Sequence, residues 1–442
     1  MHVLLFAATA RALATTTAAP PTPPKTAPVT AASLRLEHDA EVRAARATWR
    51  CCADAAPPRS YADDDFVAWR VVDEGAAGPD ERELRGGHAV YATKEPVVTA
   101  AECAALVAEA QASIDAKGAD DPRRVIGEAA VSELPRASAW LRNALVERFY
   151  PLLASRYGVA AEELVLYESL LLKYEGPSTS QPMHRDASLV SLNVVLTEPA
   201  SFAGGGTYFE GLERDALHAP GRGCAVCHNS GVQHAGHAVA AGTRWVLVLF
   251  VLADGAPQLA RRAKAHGIAR RGGGDLAGAA AALHVGLAAA PADHQLHLTL
   301  ASVERLRGDA AAARRSLAAA GRAYRYCAKA RLELGRLLLE DRRPRAALRA
   351  YESALADLDG RDGDGAWLPL RADAWDARVM AARCAVLCCD AEHAGDAWRR
   401  AHLPAALDRL RAARAAAPDD PRLAPLEAHA ADLLRAAADG AG

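Results

Sequence analysis

At Asp254 the texture of this 442-residue chain changes, and the change sets what it can fold into. Before it, short apolar runs of strand length are separated by Gly, Pro and Asn. After it come Ala, Leu and Arg at helical spacing. Leu164 to Tyr174, Ser188 to Leu196, Thr207 to Phe209, Cys224 to His228 and Arg244 to Leu252 read as successive strands with no helix-length pattern between them. That succession argues for a closed or double-sheet β fold such as a jelly roll. The expectation is a multidomain α+β chain, with a jelly-roll domain followed by an α-helical one.

The helical half carries a repeat. Gly267, Ala301 and Gly335 are 34 residues apart, and each is followed by alanine twelve positions on, at Ala279, Ala313 and Ala347. Sixteen positions on come Leu283, Leu317 and Tyr351, and Gly274 and Gly308 recur as inter-helix turns. Small residues where paired helices touch, with a bulky one between, are what a tetratricopeptide repeat needs. Ala406, Leu410, Ala413 and Pro418 read as part of a further unit, after an acidic insertion at Asp359 to Asp364. Stacked helix pairs of this kind present a concave surface fit for an extended peptide. A non-repeat bundle is the alternative, and homo-oligomerisation or plain support are alternative uses.

The chemistry sits in the β half. His184-Arg185-Asp186 places an imidazole and a carboxylate two residues apart, on the same side of an extended segment because strand side chains alternate. A third ligand from a distant strand would complete a 2-His-1-carboxylate triad, which leaves open positions on non-heme Fe(II). His228, His234 and His237 compete for that place, and Arg244 follows His234 by ten residues.

The segment from LLKY through PMHRDASLVSLNVVLTEPASFAGGGTYFE to HNSGVQHAGHAVAAGTRWVLVLFV resembles the Fe(II)/2-oxoglutarate dioxygenases of the prolyl 4-hydroxylase and procollagen lysyl hydroxylase group. The shared pattern is H-x-D-x-S, a strand with Asn-Val, F-x-GGG-x-x-F, and H-x-G before G-T-R. The resemblance implies a double-stranded β-helix, with His184, Asp186 and His234 as iron ligands and His237 as runner-up for the last. It implies that Arg244 anchors the distal carboxylate of 2-oxoglutarate, and that Tyr174 and Thr207 also bind this co-substrate. It further implies hydroxylation of a peptidyl proline or lysine with release of succinate and CO2, and L-ascorbate as an accessory. A small-molecule hydroxylase, or a catalytically degenerate repeat scaffold, is the alternative. Prolyl 4-hydroxylase subunits also carry a tetratricopeptide-like domain, but before the catalytic one; here it follows.

Four segments are expected: a targeting segment and Pro/Thr-rich linker at 1–36, an N-terminal extension at 37–87, the dioxygenase domain at 88–254, and the helical domain at 258–436. The leader contains no Asp or Glu, and its apolar start at Val3 to Ala10 favours the secretory pathway and endoplasmic reticulum lumen, with an organelle such as the plastid as the alternative. A formal net charge of -2 gives no pointer to nucleic acid or an anionic membrane, and no apolar run is long enough to span one. Cys224 and Cys227 have CxxC spacing but lie in a strand-like run, where positions three apart face opposite sides. They read as buried thiols. Thr99 and Glu102 form a capping-box pattern for a helix that follows the run Val90 to Val98.

Overall fold

Strand alternation builds the β half. This computed structural model describes residues 28–51, 55–70, 89–118, 121, 123–124, 127–176, 180–181, 183–212, 217–218, 220–324, 327–359, 368–390, 396–416 and 418–439. The expected targeting segment therefore lies outside the described residues up to 27. The strands are β1 (Phe66–Trp69), β2 (Val90–Thr93), β3 (Glu128–Ala130), β4 (Leu164–Glu175), β5 (Val190–Val195), β6 (Phe202–Gly204), β7 (Thr207–Phe209), β8 (Leu217–His218), β9 (Ala225–Asn229), β10 (His234–Gly236) and β11 (Val239–Ala253). They form an eight-stranded sheet of order β1-β2-β9-β5-β11-β4-β3, with β6 on β11, and a three-stranded sheet of order β10-β7-β8. All the pairings are antiparallel.

In β11 the two faces part cleanly. Trp245, Leu247, Leu249 and Val251 enter a core shared with Leu106 of α2 (Ala100–Asp115), Leu141 of α3 (Pro135–Ala144) and Leu152 of α4 (Tyr150–Tyr157). Val246, Val248 and Phe250 turn the other way, with Leu170, Leu172 and Tyr174 of β4. Each fully buried Leu or Val on the helix side contributes about 1.5–3 kcal/mol, so this face holds the sheet while the other is left for the site. The Thr99 cap forms as expected: Glu102 N–H donates to its hydroxyl at 3.3 Å, and Thr99 N–H donates back to the Glu102 carboxylate at 2.8 Å.

The helix α1 (Ala31–Thr48) opens inside the stretch read as linker, because Thr30 accepts from Ser33 N–H and caps it. The helices α5 (Leu259–Gly272) and α6 (Leu276–Ala289) follow the strands. Leu34 of α1 packs on Leu259 and Ala263, and Arg262 pairs with Glu41. Accordingly the chain divides into compact units Met1–Ala292 and Asp293–Gly442, and the first helix pair belongs with the strands.

The second unit contains α7 (His294–Leu306), α8 (Ala310–Ala323), α9 (Ala328–Glu340), α10 (Pro344–Asp359), α11 (Leu368–Asp390), α12 (Asp396–Ala416) and α13 (Leu423–Asp439). Helical repeats are what the structure shows after the strands. A Cβ on Gly267 would lie 2.6 Å from Leu283 Cγ, and one on Gly335 would lie 2.7 Å from Tyr351 Cζ. The small-against-bulky spacing read from the sequence thus corresponds to real contacts between paired helices. Ala406, Leu410 and Ala413 are buried against Leu423, and most of the acidic insertion lies outside the described residues.

The turns repeat as well. Gly274 and Gly308 have φ of 81° and 80°, and the next position in the series, Arg342, has φ of 56°. An L side chain in that left-handed region costs on the order of 1–2 kcal/mol. Arg342→Gly is therefore expected to stabilise the helical unit by about 1 kcal/mol, after glycine's own loss of chain entropy. Urea unfolding of the two proteins would check it; an unchanged or lower midpoint would contradict it.

Candidate metal and co-substrate site

The His184–Asp186 segment is held by a single antiparallel bridge and is not a regular strand. His184 N–H donates to the His234 carbonyl at 2.8 Å and His234 N–H donates back at 2.9 Å. Two residues on, Asp186 N–H donates to the Ser230 carbonyl at 3.2 Å. Those bonds preserve the alternation that points His184 and Asp186 the same way. His234 arrives on β10, opposite Phe209 of β7.

One ligand atom from each of His184, Asp186 and His234 lies within 4.8 Å of the other two. His184 Nε2 is 3.4 Å from Asp186 Oδ1, and His234 Nε2 is 3.5 Å from Asp186 Oδ2. The carbonyl of Val232 can only accept, so the 3.0 Å contact to His234 Nδ1 places the proton there and leaves the Nε2 lone pair facing the cluster. Burial pushes the His234 imidazole down to about 3. Burial alone would raise the Asp186 carboxyl, but the adjacent histidines hold it well below the usual carboxylate range. At neutral pH Asp186 is a carboxylate beside the neutral ring of His234, which is the donor set a divalent transition metal takes.

His228, a rival for the third ligand position in the sequence, is outside this mutual cluster yet touches it. Its fully buried Nε2 is 3.7 Å from Asp186 Oδ2 and has no hydrogen-bond partner, while Nδ1 contacts the Asn229 carbonyl at 2.9 Å. Its ring stands 4.4 Å from that of His234. Burial lowers this imidazole too. His237 is not brought into the cluster; its N–H donates to the Gly206 carbonyl at 2.9 Å.

Arg244, Tyr174 and Thr207 gather beyond the histidines. Arg244 faces Tyr174 across the β11–β4 pair, its guanidinium carbon 5.4 Å from the ring centroid. Thr207 is buried opposite Gly236, two residues along β10 from His234, a step of about 6–7 Å. A Cβ on Gly236 would lie 3.0 Å from the Tyr174 hydroxyl, so any larger residue there would crowd the phenol. Gly205 is constrained twice, by a φ of 72° and by the Arg244 Cδ that would lie 3.0 Å from its Cβ. This is the physical content of the Gly204-Gly205-Gly206 run.

The electrostatics of Arg244 are unusual. It is 2% exposed, its Nε is buried without a hydrogen-bond partner, and it makes no ion pair among the described residues. Burial draws the guanidinium below its ordinary value, opposed only by Tyr174. The same burial pushes the Tyr174 phenol up to about 12, so it stays protonated and can donate. A buried, unpaired cation is costly unless an anion joins it.

Two further groups, Ser191 and Ser230, were not singled out from the sequence, and Ser188 enters there only as the serine of the H-x-D-x-S pattern. Ser191 donates to Asp186 Oδ2 at 2.5 Å, and the hydroxyls of Ser188 and Ser230 adjoin it. The signal that could have found Ser191 was alternation along β5, which turns Ser191 and Asn193 away from the Val190, Leu192 and Val194 core. Cys224 and Cys227 are buried free thiols, as expected. Among the described residues no helix is long and apolar enough to cross a membrane.

No protein-family model matches the chain, and no curated protein matches it. Among solved structures, part of the chain is similar to the non-heme α-ketoglutarate-dependent epimerase SnoN from nogalamycin biosynthesis, at 20% identity over 36% of this chain and 76% of that one, with a TM-score of 0.29. It is similar to EvdO2 from Micromonospora carbonacea var. aurantiaca, solved with 2-oxoglutarate, at 17% identity over 40% of this chain and 91% of that one, TM-score 0.29. It is also similar to YrrB, a TPR protein with an unusual peptide-binding site, at 15% identity over 41% of this chain and 86% of that one, TM-score 0.28.

Proposed function

We propose that this chain is an Fe(II)- and 2-oxoglutarate-dependent dioxygenase of the prolyl and lysyl hydroxylase kind, its two sheets forming a double-stranded β-helix. The observation that carries the reading is Arg244, a buried cation with no counter-charge among the described residues, gathered with Tyr174 and Thr207 beyond a partly buried His-Asp-His cluster. A metal ion alone would not account for it. A dicarboxylate accounts for both, with one end at the metal and the other on the guanidinium.

The residues present fit Fe(II): two imidazole nitrogens and one carboxylate oxygen converge, and other coordination positions stay open. When bound, the iron supplies the oxygen chemistry that couples decarboxylation of 2-oxoglutarate to succinate with hydroxylation of a C–H bond. His184, Asp186 and His234 would hold it. Arg244 would bind the distal carboxylate, the protonated Tyr174 hydroxyl would donate to it, and Thr207 would offer a second hydroxyl. Leu172, Val239, Val246 and Val248 form an apolar wall beside them that keeps water from the guanidinium. L-ascorbate is proposed as accessory reductant.

For substrate we propose a peptidyl proline or lysine, because helical repeats of this spacing build surfaces that take extended peptides. Incubation of the full chain with iron, 2-oxoglutarate, ascorbate and a peptide library would test it by mass spectrometry. The expected product carries one added oxygen on proline or lysine, formed with stoichiometric succinate. Succinate release with no modified peptide, stimulated instead by small metabolites, would overturn the peptide assignment and leave the oxygenase reading.

A further inference from the structure

Behind the cluster, three serines from two stretches of the chain meet in a space closed to solvent. Ser188, Ser191 and Ser230 are all buried, with Oγ–Oγ distances of 2.7 Å between Ser188 and Ser230, 2.9 Å between Ser191 and Ser230, and 3.0 Å between Ser188 and Ser191. Each hydroxyl has one proton to give. The proton of Ser191 goes to Asp186 Oδ2, since an ionised carboxylate can only accept. The Ser191 oxygen therefore accepts from one of its neighbours, and the Ser188–Ser230 bond orders the third. Whichever serine comes first, every proton points the same way, toward Asp186. Such a chain is cooperatively polarised and is strongest when it ends on a charge.

The backbone fixes the same geometry. Ser230 N–H donates to the Leu189 carbonyl at 3.1 Å while its own carbonyl accepts from Asp186 N–H at 3.2 Å, so one residue holds both ends of the 186–189 loop. Ser191 and His228 are direct cross-strand partners, which sets the His228 ring as a wall behind the same carboxylate oxygen.

We propose that the Ser188, Ser230 and Ser191 hydroxyls are positioning groups of the metal centre: through the Ser191 bond to Oδ2 they fix the orientation of the Asp186 carboxylate. The proposal rests on the reading of the His184, Asp186 and His234 cluster as a metal site. With Oδ2 accepting from Ser191, the carboxylate would be held against rotation in the orientation from which it and the two histidines would hold the metal. Partners behind a metal ligand act on affinity by fixing its orientation, typically by 10–100-fold.

Anaerobic titration of the full chain with Fe(II) tests this, with a second titration of 2-oxoglutarate into the Fe(II) protein followed by visible absorption. Ser191→Ala is expected to weaken Fe(II) binding by about 10–100-fold and to shift the absorption band, with thermal unfolding of the metal-free protein little changed. Ser191→Thr keeps the hydroxyl and should restore both. Ser230→Ala, which leaves the Ser191 bond but removes a donor behind it, should give a smaller loss in the same direction. Wild-type affinity and an unshifted band in Ser191→Ala would overturn the proposal, as would a loss that threonine does not rescue. If Ser191→Ala proves unstable, wild-type affinity and band in Ser230→Ala would do so. Failure of the unaltered chain to bind Fe(II) would instead remove the metal reading itself, and the positioning role with it.

Discussion

Asp186→Ala is expected to abolish Fe(II) binding at micromolar metal and, with it, all succinate formation. The carboxylate is the only anionic group in the cluster, and the imidazoles left behind would have to hold a divalent cation in a partly buried space with no compensating charge. Ser191 would also lose the acceptor at the end of its hydroxyl chain. Loss of at least two orders of magnitude in affinity is the expected result, on the order of 3 kcal/mol or more by the conversion of about 1.4 kcal/mol per tenfold. Anaerobic titration with competition against a chelator would measure it. Comparable iron binding by the variant would show that the cluster is not the metal site.

The second large effect is at Arg244. On the proposed reading, replacing it with alanine would leave the distal carboxylate of 2-oxoglutarate without its charge partner in a closed space, a loss of about 3–5 kcal/mol for a broken buried pair. The Michaelis constant for 2-oxoglutarate should rise by roughly two to three orders of magnitude, and Arg244→Lys should recover part of it through the remaining point charge. Folding should respond the other way. The unliganded protein already bears the desolvation of a guanidinium with no ion pair among the described residues, so Arg244→Ala should melt at the same temperature or higher. A lower melting temperature with an unchanged Michaelis constant would mean that Arg244 serves the fold and not the co-substrate.

Much of the site was legible because it depends on local periodicity and short spacing. The strand runs ended within a few residues of their expected bounds, and the Gly204-Gly205-Gly206 run marks a place where backbone conformation and the nearby Arg244 side chain both disfavour a Cβ. The 34-residue series in Gly267, Gly335, Leu283 and Tyr351 reports real contacts, since a repeat imposes the same packing each time. The hidden features are long-range. Ser188 and Ser230 are 42 residues apart, and nothing in either local sequence signals that their hydroxyls meet. His228 is one of three candidates for the last ligand in the sequence, and only the pairing of β9 with β5 shows it turned toward Asp186 yet outside the mutual cluster. The textural change at Asp254 does not mark the limit of the first compact unit, because α5 packs on α1, more than 200 residues earlier, through Arg262 and Glu41. Arg342 occupies a turn where its two predecessors are glycine, so a search for glycine alone would miss the third turn.

The most direct test of the whole account is whether the purified chain converts 2-oxoglutarate to succinate in the presence of oxygen and only when Fe(II) is supplied. The account predicts slow, iron-dependent succinate release even without a substrate to hydroxylate, absent in Asp186→Ala and, at low 2-oxoglutarate, strongly reduced in Arg244→Ala. Succinate at the level of the iron-free control, from a protein that binds Fe(II) and is supplied with saturating 2-oxoglutarate, would contradict it.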